Sequence, residues 1–306
     1  MRRASLVAWV CLLIVWVVWG STYLAIRVAV ETMPPLLMAA VRNLVAGAIM
    51  FPAATGARRR AIRAGQDLRR WPGRAEWIGC ATVGVLLLVA NGAVGIGEQT
   101  VPSGLAALLV ATVPLWLLGI DAVLNHARLG LAPMAGLALG LAGVGLLSGL
   151  GGGGAGRVSV AGVVIILGAA AMWAFGTIMA RRVTIPSSPA LASGMELLCG
   201  GVALLVLAAA GGELGSLHPA EVSWRSWLAL GYLIVAGSIV AFSAYGIAVR
   251  ELPTATVATY AYVNPVIAVL LGTLILNERL TPAMFAGGAL IVGAVVLVVR
   301  RSPPAH

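Results

Sequence analysis

The sequence predicts an all-α integral membrane protein, with ten transmembrane helices built from two inverted five-helix repeats. Three observations carry this. Of 306 residues, 60% are hydrophobic and only 10% charged, and the mean hydropathy of +1.01 marks a chain whose solvent is lipid. Ten apolar stretches each approach the roughly 20 residues that a helix needs to cross a bilayer. The chain also repeats itself halfway along.

The spans fall at about 6–28, 35–56, 76–96, 102–125, 130–150, 158–180, 189–211, 224–247, 253–276 and 281–299, separated by short polar or Gly/Pro connectors. All should be helices, because unpaired backbone groups are not tolerated against lipid. The first follows a basic Met1-Arg2-Arg3 start, but "LVAWVCLLIVWVVWGSTYLAIRVAV" is too long for a signal core and shows no small-x-small cleavage site. It is read as a retained span. The fifth carries "GLALGLAG" (136–143) and the tenth "AGG" (286–288). This small-residue spacing suits close helix contact within the fold, or between the copies of a homodimer. The state is therefore expected to be monomer or homodimer.

All 20 basic residues are arginines, giving a net charge of +10. If the spans alternate, fifteen arginines fall on one side and three (Arg157, Arg225, Arg279) on the other. The positive-inside rule then places both termini in the cytoplasm. The run at 57–74, "ARRRAIRAGQDLRRWPGR", is expected to touch anionic lipid head groups, and no nucleic-acid partner is expected. Cys11, Cys80 and Cys199 are scattered through spans and read as packing residues.

A shift of 154 aligns Trp19 with Trp173, Arg27 with Arg181, Pro35 with Pro189 and Gly47 with Gly201. A shift of 151 aligns Pro102 with Pro253, Pro114 with Pro265, Arg128 with Arg279 and Gly136 with Gly287. The repeats are assigned to residues 1–150 and 157–301, joined by a Gly-rich connector at 151–156. Five spans is an odd number, so the second half enters the membrane inverted. Inverted repeats with broken helices are the architecture of secondary transporters, whose substrate binds near the midplane between the halves. Pro114 and Pro265 each lie about 12 residues, or roughly 18 Å, into their spans and are the expected helix breaks.

The stretches "WGSTYLAIRVAVETMPPLLMAAVRNLVAG", "NGAVGIGEQTVPSGLAALLVATVPL", "WAFGTIMARR" and "TATVATYAYVNPVIAVLLGTLILNERL" resemble the EamA family of the drug/metabolite transporter superfamily, closest to its YedA-like bacterial branch. The resemblance covers nearly the whole chain. It implies ten spans, cytoplasmic termini in a bacterial inner membrane, and a central cavity formed mainly by spans 1, 3, 4, 6, 8 and 9. It also implies export of amino acids, other small metabolites or drug-like cations. One departure is that the acid usual at the end of span 9 is present as Glu278, whereas its mate in the first half is Ala127.

Nothing in the chain suggests catalysis or a cofactor. Without lysine there is no phosphate loop, and His126, His218 and His306 are too dispersed for a metal site. The candidate substrate-binding residues are Trp19, Thr22, Asn91, Trp173, Tyr245, Tyr260, Tyr262 and Asn264: aromatic faces to stack on a substrate, and a few polar groups to orient it. Four charges read as gates. Arg42 lies about 10 Å into span 2, with Glu98 at similar depth; Glu196 is the repeat mate of Arg42, with Arg181 near it. These form two expected latches, one on each side. The expected function is a secondary exporter of small metabolites, amino acids first and cationic or aromatic drug-like compounds second. A non-transporting membrane protein is the remote third reading.

Overall fold

The computed structural model describes residues 6–65, 71–126, 131–147, 159–252, 254–257 and 259–301. The connector at 151–156 lies outside the described residues. The helices are α1 (Leu6–Ala29), α2 (Pro35–Arg63), α3 (Arg74–Glu98), α4 (Ser103–Val110), α5 (Val113–Leu124), α6 (Leu131–Leu147), α7 (Val160–Ala180), α8 (Pro189–Ala210), α9 (Glu213–Ser216), α10 (Trp224–Tyr232), α11 (Ala241–Glu251), α12 (Thr254–Val257), α13 (Tyr260–Leu276) and α14 (Pro282–Arg301). A π segment, Leu233–Val240, joins α10 to α11.

Among the described residues, seven helical stretches are long and apolar enough to cross a membrane: Leu6–Ala29, Pro35–Arg63, Arg74–Glu98, Ser103–Leu124, Val160–Ala180, Pro189–Ala210 and Trp224–Tyr245. Shorter apolar helices cover Met134–Leu146, Val263–Leu276 and Pro282–Ala294. Local chemistry sets several starts. Pro35 and Pro189 open α2 and α8, where a missing N–H is harmless. Ser159 and Ser223 cap α7 and α10 by accepting from the Gly162 and Ser226 amides at 3.2 and 3.1 Å.

Lipid supplies little drive for helices to associate, so close backbone approach at small residues does much of the packing. A Cβ on Gly47 would lie 2.9 Å from Leu198 Cγ, and one on Gly201 would lie 2.9 Å from Leu44 Cγ. These contacts are reciprocal: residue numbers rise along α2 as they fall along α8, so the two helices run antiparallel. The same holds for α6 and α14, where Gly143 faces the Gly287 carbonyl and Gly140 faces Ala294. Small residues of "GLALGLAG" and "AGG" are thus used against each other within the chain. α3 and α8 instead run parallel. Their backbones meet at Gly84, where a Cβ would lie 2.3 Å from the Glu196 carbonyl oxygen, and at Gly200, 2.4 Å from the Gly84 carbonyl oxygen.

Those last distances leave no room for a methyl group against rigid backbone. Gly84→Ala and Gly200→Ala should each reduce the yield of monodisperse protein on size-exclusion chromatography. Gly168→Ala, where a Cβ meets nothing within 4 Å, should leave it unchanged. Equal yields from all three would contradict the α3–α8 packing described here.

Candidate functional site

A cavity of about 260 Å³ opens where α1, α2, α3, α7, α11 and α13 surround the joint between α4 and α5. Its walls include Trp19, Thr22 and Tyr23 from α1, Asn91 from α3, Trp173 from α7, Phe242 from α11, and Tyr260, Asn264 and Pro265 from α13. Trp19, Thr22, Asn91, Trp173, Tyr260, Asn264 and Pro265 are candidates from four separate spans of the sequence, and the fold brings them to one space; Tyr23 and Phe242 were not among the candidates. α2 adds two wall residues, Arg42 and Asn43. Asn43 was not singled out in the sequence, where it reads as one polar residue beside an arginine.

The aromatic side is a connected cluster. The Trp19 ring lies 5.5 Å from Phe242, 5.1 Å from Tyr245 and 5.3 Å from Tyr260, with edge-to-face geometry to the first and last. Such pairs hold one another's orientation. Tyr245 supports Trp19 and Tyr260 from behind instead of lining the cavity; Tyr262 lies on α13 with its side chain outside the described residues. The Thr22 hydroxyl donates to the Trp19 carbonyl at 2.6 Å, so its hydrogen-bonding capacity is partly spent on its own helix. The Asn264 amide nitrogen, turned toward its acceptors, donates to the Trp16 carbonyl at 3.2 Å and the Tyr260 carbonyl at 3.1 Å, tying α13 to α1.

The two prolines behave differently. α4 ends at Val110 and α5 begins at Val113, so the helix breaks just before Pro114. Val110, Ala111 and Pro114 all face the cavity, and the Thr112 hydroxyl donates to the Leu109 carbonyl at 2.6 Å. Pro265 corrects the expectation of a second break. It sits inside α13, and the nearest turn is upstream, at Thr259. The ring removes one backbone hydrogen bond, leaving the Ala261 carbonyl without its helical donor, and Ala261 lines the cavity.

The latch pairings are also corrected. Arg42 Nε donates to Ser238 Oγ at 2.9 Å and its Nη1 to Asn91 Oδ1 at 3.2 Å; Glu98 lies seven residues beyond Asn91 along α3, about 10 Å up the axis. The Glu98 carboxylate is 0% exposed and its two oxygens have no hydrogen-bond partner among the described residues, while Arg27 donates to the Glu98 backbone carbonyl. Arg181 is exposed at the end of α7, and among the described residues no hydrogen bond joins it to Glu196.

Glu278 was noted in the sequence for lacking a mate, and the structure gives it a specific contact. Its Oε1 accepts from the Ser103 amide at 2.7 Å and the Ser103 hydroxyl at 2.8 Å, and its Oε2 from the Gly104 amide at 3.1 Å. The carboxylate thereby caps α4 from 175 residues away, meeting the positive end of that helix.

Comparison with known proteins places these features. The model of the EamA-like transporter family matches the chain twice, over residues 7–149 and 160–300. The uncharacterized inner membrane transporter YedA of Escherichia coli (strain K12) is 39% identical over 285 residues, covering 92% of this chain and 87% of that one. A probable amino-acid metabolite efflux pump of the same strain is 28% identical over 289 residues, covering 92% of this chain and 90% of that one. A solved crystal structure shares the fold at a TM-score of 0.60 with 23% identity, over 95% of each chain.

The Glu278 cap is a charge-assisted contact, so its loss should cost about 1–3 kcal/mol. Glu278→Ala should lower the midpoint of thermal unfolding in detergent, and Glu278→Gln, which keeps one acceptor oxygen, should lower it less. Wild-type stability in Glu278→Ala would show that the cap does not hold α4.

Proposed function

The chain belongs to the EamA-like transporter family, and from that membership we propose that it is a multi-pass inner-membrane secondary transporter that exports small metabolites, amino acids or related compounds first. In this reading ten spans form two inverted five-helix repeats, both termini are cytoplasmic, and substrate passes by alternating access through the cavity between the repeats. It is a transporter and not an enzyme, and the arginine-rich segment at 57–74 rests on anionic lipid.

The observation that carries the proposal is the aromatic cavity at the α4–α5 break. It is lined from both segments that the family matches, with Trp19 in one and Trp173 in the other. The inverted arrangement is supported by the antiparallel course of the mates α2 and α8 and of α6 and α14. A broken helix beside a buried cavity is where non-helical backbone is tolerated at membrane depth. Export of amino acids is supported by the efflux pump among the relatives. The aromatic cluster favours a second reading, export of cationic or aromatic drug-like compounds, since such faces also attract cations.

The test is solute counterflow into proteoliposomes with labelled L-leucine, L-phenylalanine and a cationic dye. Wild-type protein should accumulate at least one amino acid above protein-free vesicles. Trp19→Ala and Trp173→Ala should each change the ratio of rates between substrates by about fivefold or more, the scale of one stacking contact. Unchanged rates and ratios in both variants would return these tryptophans to packing.

A further inference from the structure

We infer that Arg42 and Asn43 form an anion subsite in the cavity, which holds the carboxylate of a substrate whose remaining body is apolar or aromatic. This rests on the transporter reading above and names the chemistry its cavity selects.

The first observation is an uncompensated charge. Arg42 is only 5% exposed, and its guanidinium carries five N–H donors and no acceptor. Two are used, on Ser238 Oγ and Asn91 Oδ1, and both partners are neutral. Among the described residues no carboxylate pairs with it. Buried cations are ordinarily paired, because taking an ammonium or guanidinium out of water is costly. A cation that neutral groups hold in place, on a cavity wall, is arranged for an anion that comes and goes.

The second observation is independent. The neighbouring side chain, Asn43, is 2% exposed and its Nδ2 has no acceptor among the described residues, yet it lines the same cavity. Buried amide donors are nearly always satisfied. Two adjacent residues thus present free donors, and no acidic side chain is among those lining the cavity. A ligand supplying acceptor oxygens completes both.

The position of Arg42 is built by the fold. The π segment carries Ser238 to the guanidinium, and the preceding Gly237 leaves room for it, since a Cβ there would lie 3.2 Å from Arg42 Nη2. Such π insertions recur at functional sites. The remaining wall is mostly aromatic and aliphatic, with Trp19, Tyr23, Trp173, Phe242 and Tyr260 on it, and Thr22, Asn91 and Asn264 are its other polar amide or hydroxyl residues besides the tyrosines. One guanidinium fork matches one planar carboxylate, and an apolar space of about 260 Å³ suits a compact monoanion better than a doubly charged phosphate.

The experiment measures competition for binding to the purified full-length protein, by intrinsic tryptophan fluorescence and thermal shift. The probes are L-phenylalanine, 3-phenylpropanoate, L-phenylalaninamide, 2-phenylethylamine and inorganic phosphate. Both carboxylates should bind, and the amide and amine should bind about tenfold or more weakly, the discrimination of one charge-assisted pair. Arg42→Gln should bring the carboxylate-to-amide ratio close to one, Arg42→Lys should restore part of it, and Asn43→Leu should weaken the carboxylates selectively. Should Arg42→Gln fail to fold, the wild-type ratio and the Asn43→Leu variant decide. Failure of both carboxylates to bind, equal binding of the amide, competition by phosphate alone, or an unchanged ratio in Arg42→Gln would each overturn the subsite. Transport of amines without carboxylate binding overturns the subsite and leaves the transporter reading standing. Carboxylate binding with no solute movement in proteoliposomes does the reverse.

Discussion

A backbone in lipid has to satisfy its own hydrogen bonds, and the rest of this structure follows from that constraint. It turns nearly every described residue into helix. It also restricts where anything else can happen. The α4–α5 break at Ala111–Thr112 leaves carbonyls that lipid could not satisfy, so the break is enclosed by α1, α3, α7 and α13 and faces a cavity. Polar function in this chain is therefore confined to the interior, where helices are interrupted or widened. The π segment is the other such place, and it delivers Ser238 to Arg42.

Within that frame the two halves are similar in packing and different in chemistry. Gly47 against Leu198 and Gly201 against Leu44 are the same contact made twice. The charged groups are not doubled. Glu278 reaches across to cap α4, whereas its mate in the first half is Ala127; Arg42 faces the cavity, whereas its mate Glu196 lies on α8 with its backbone against Gly84. The asymmetry matters for selectivity. At an effective dielectric constant near 20, two unit charges about 6 Å apart interact by about 3 kcal/mol, roughly a hundredfold in affinity. An unpaired Arg42 repels a bound cation on that scale. The stacking that the aromatic cluster offers a cation is worth about 0.5–2 kcal/mol, so the charge outweighs the rings.

Much of the helical content, the small-residue contacts and part of the cavity wall were legible because each leaves a mark in one dimension: an apolar run, a glycine spacing, or, for Trp19 and Trp173, an aromatic matched across the repeat. Pro114 was legible for the same reason. Pro265 was not, because whether a proline breaks or merely kinks a helix depends on neighbours that replace its lost hydrogen bond. The latch between Arg42 and Glu98 failed on geometry. Counting residues from a proline put Arg42 and Glu98 at similar depth, but helices that enter the membrane at different heights do not share one scale, and Arg42 meets Asn91, about 10 Å short of Glu98. "LIVAGSIV" (233–240) reads as ordinary apolar helix, so its π geometry left no signal. Asn43 became visible only as a buried donor without an acceptor.

The central claim is that the cavity is a path reached alternately from the two membrane faces. Its most direct test places one cysteine at Ala111, on the α4–α5 break, in a background with Cys11, Cys80 and Cys199 replaced. Reaction with a membrane-impermeant thiol reagent is then followed in right-side-out and inside-out vesicles. Alternating access predicts labelling from both faces, slowed in each orientation by a bound substrate. Labelling from neither face, or from one face only whatever solute is added, would contradict it.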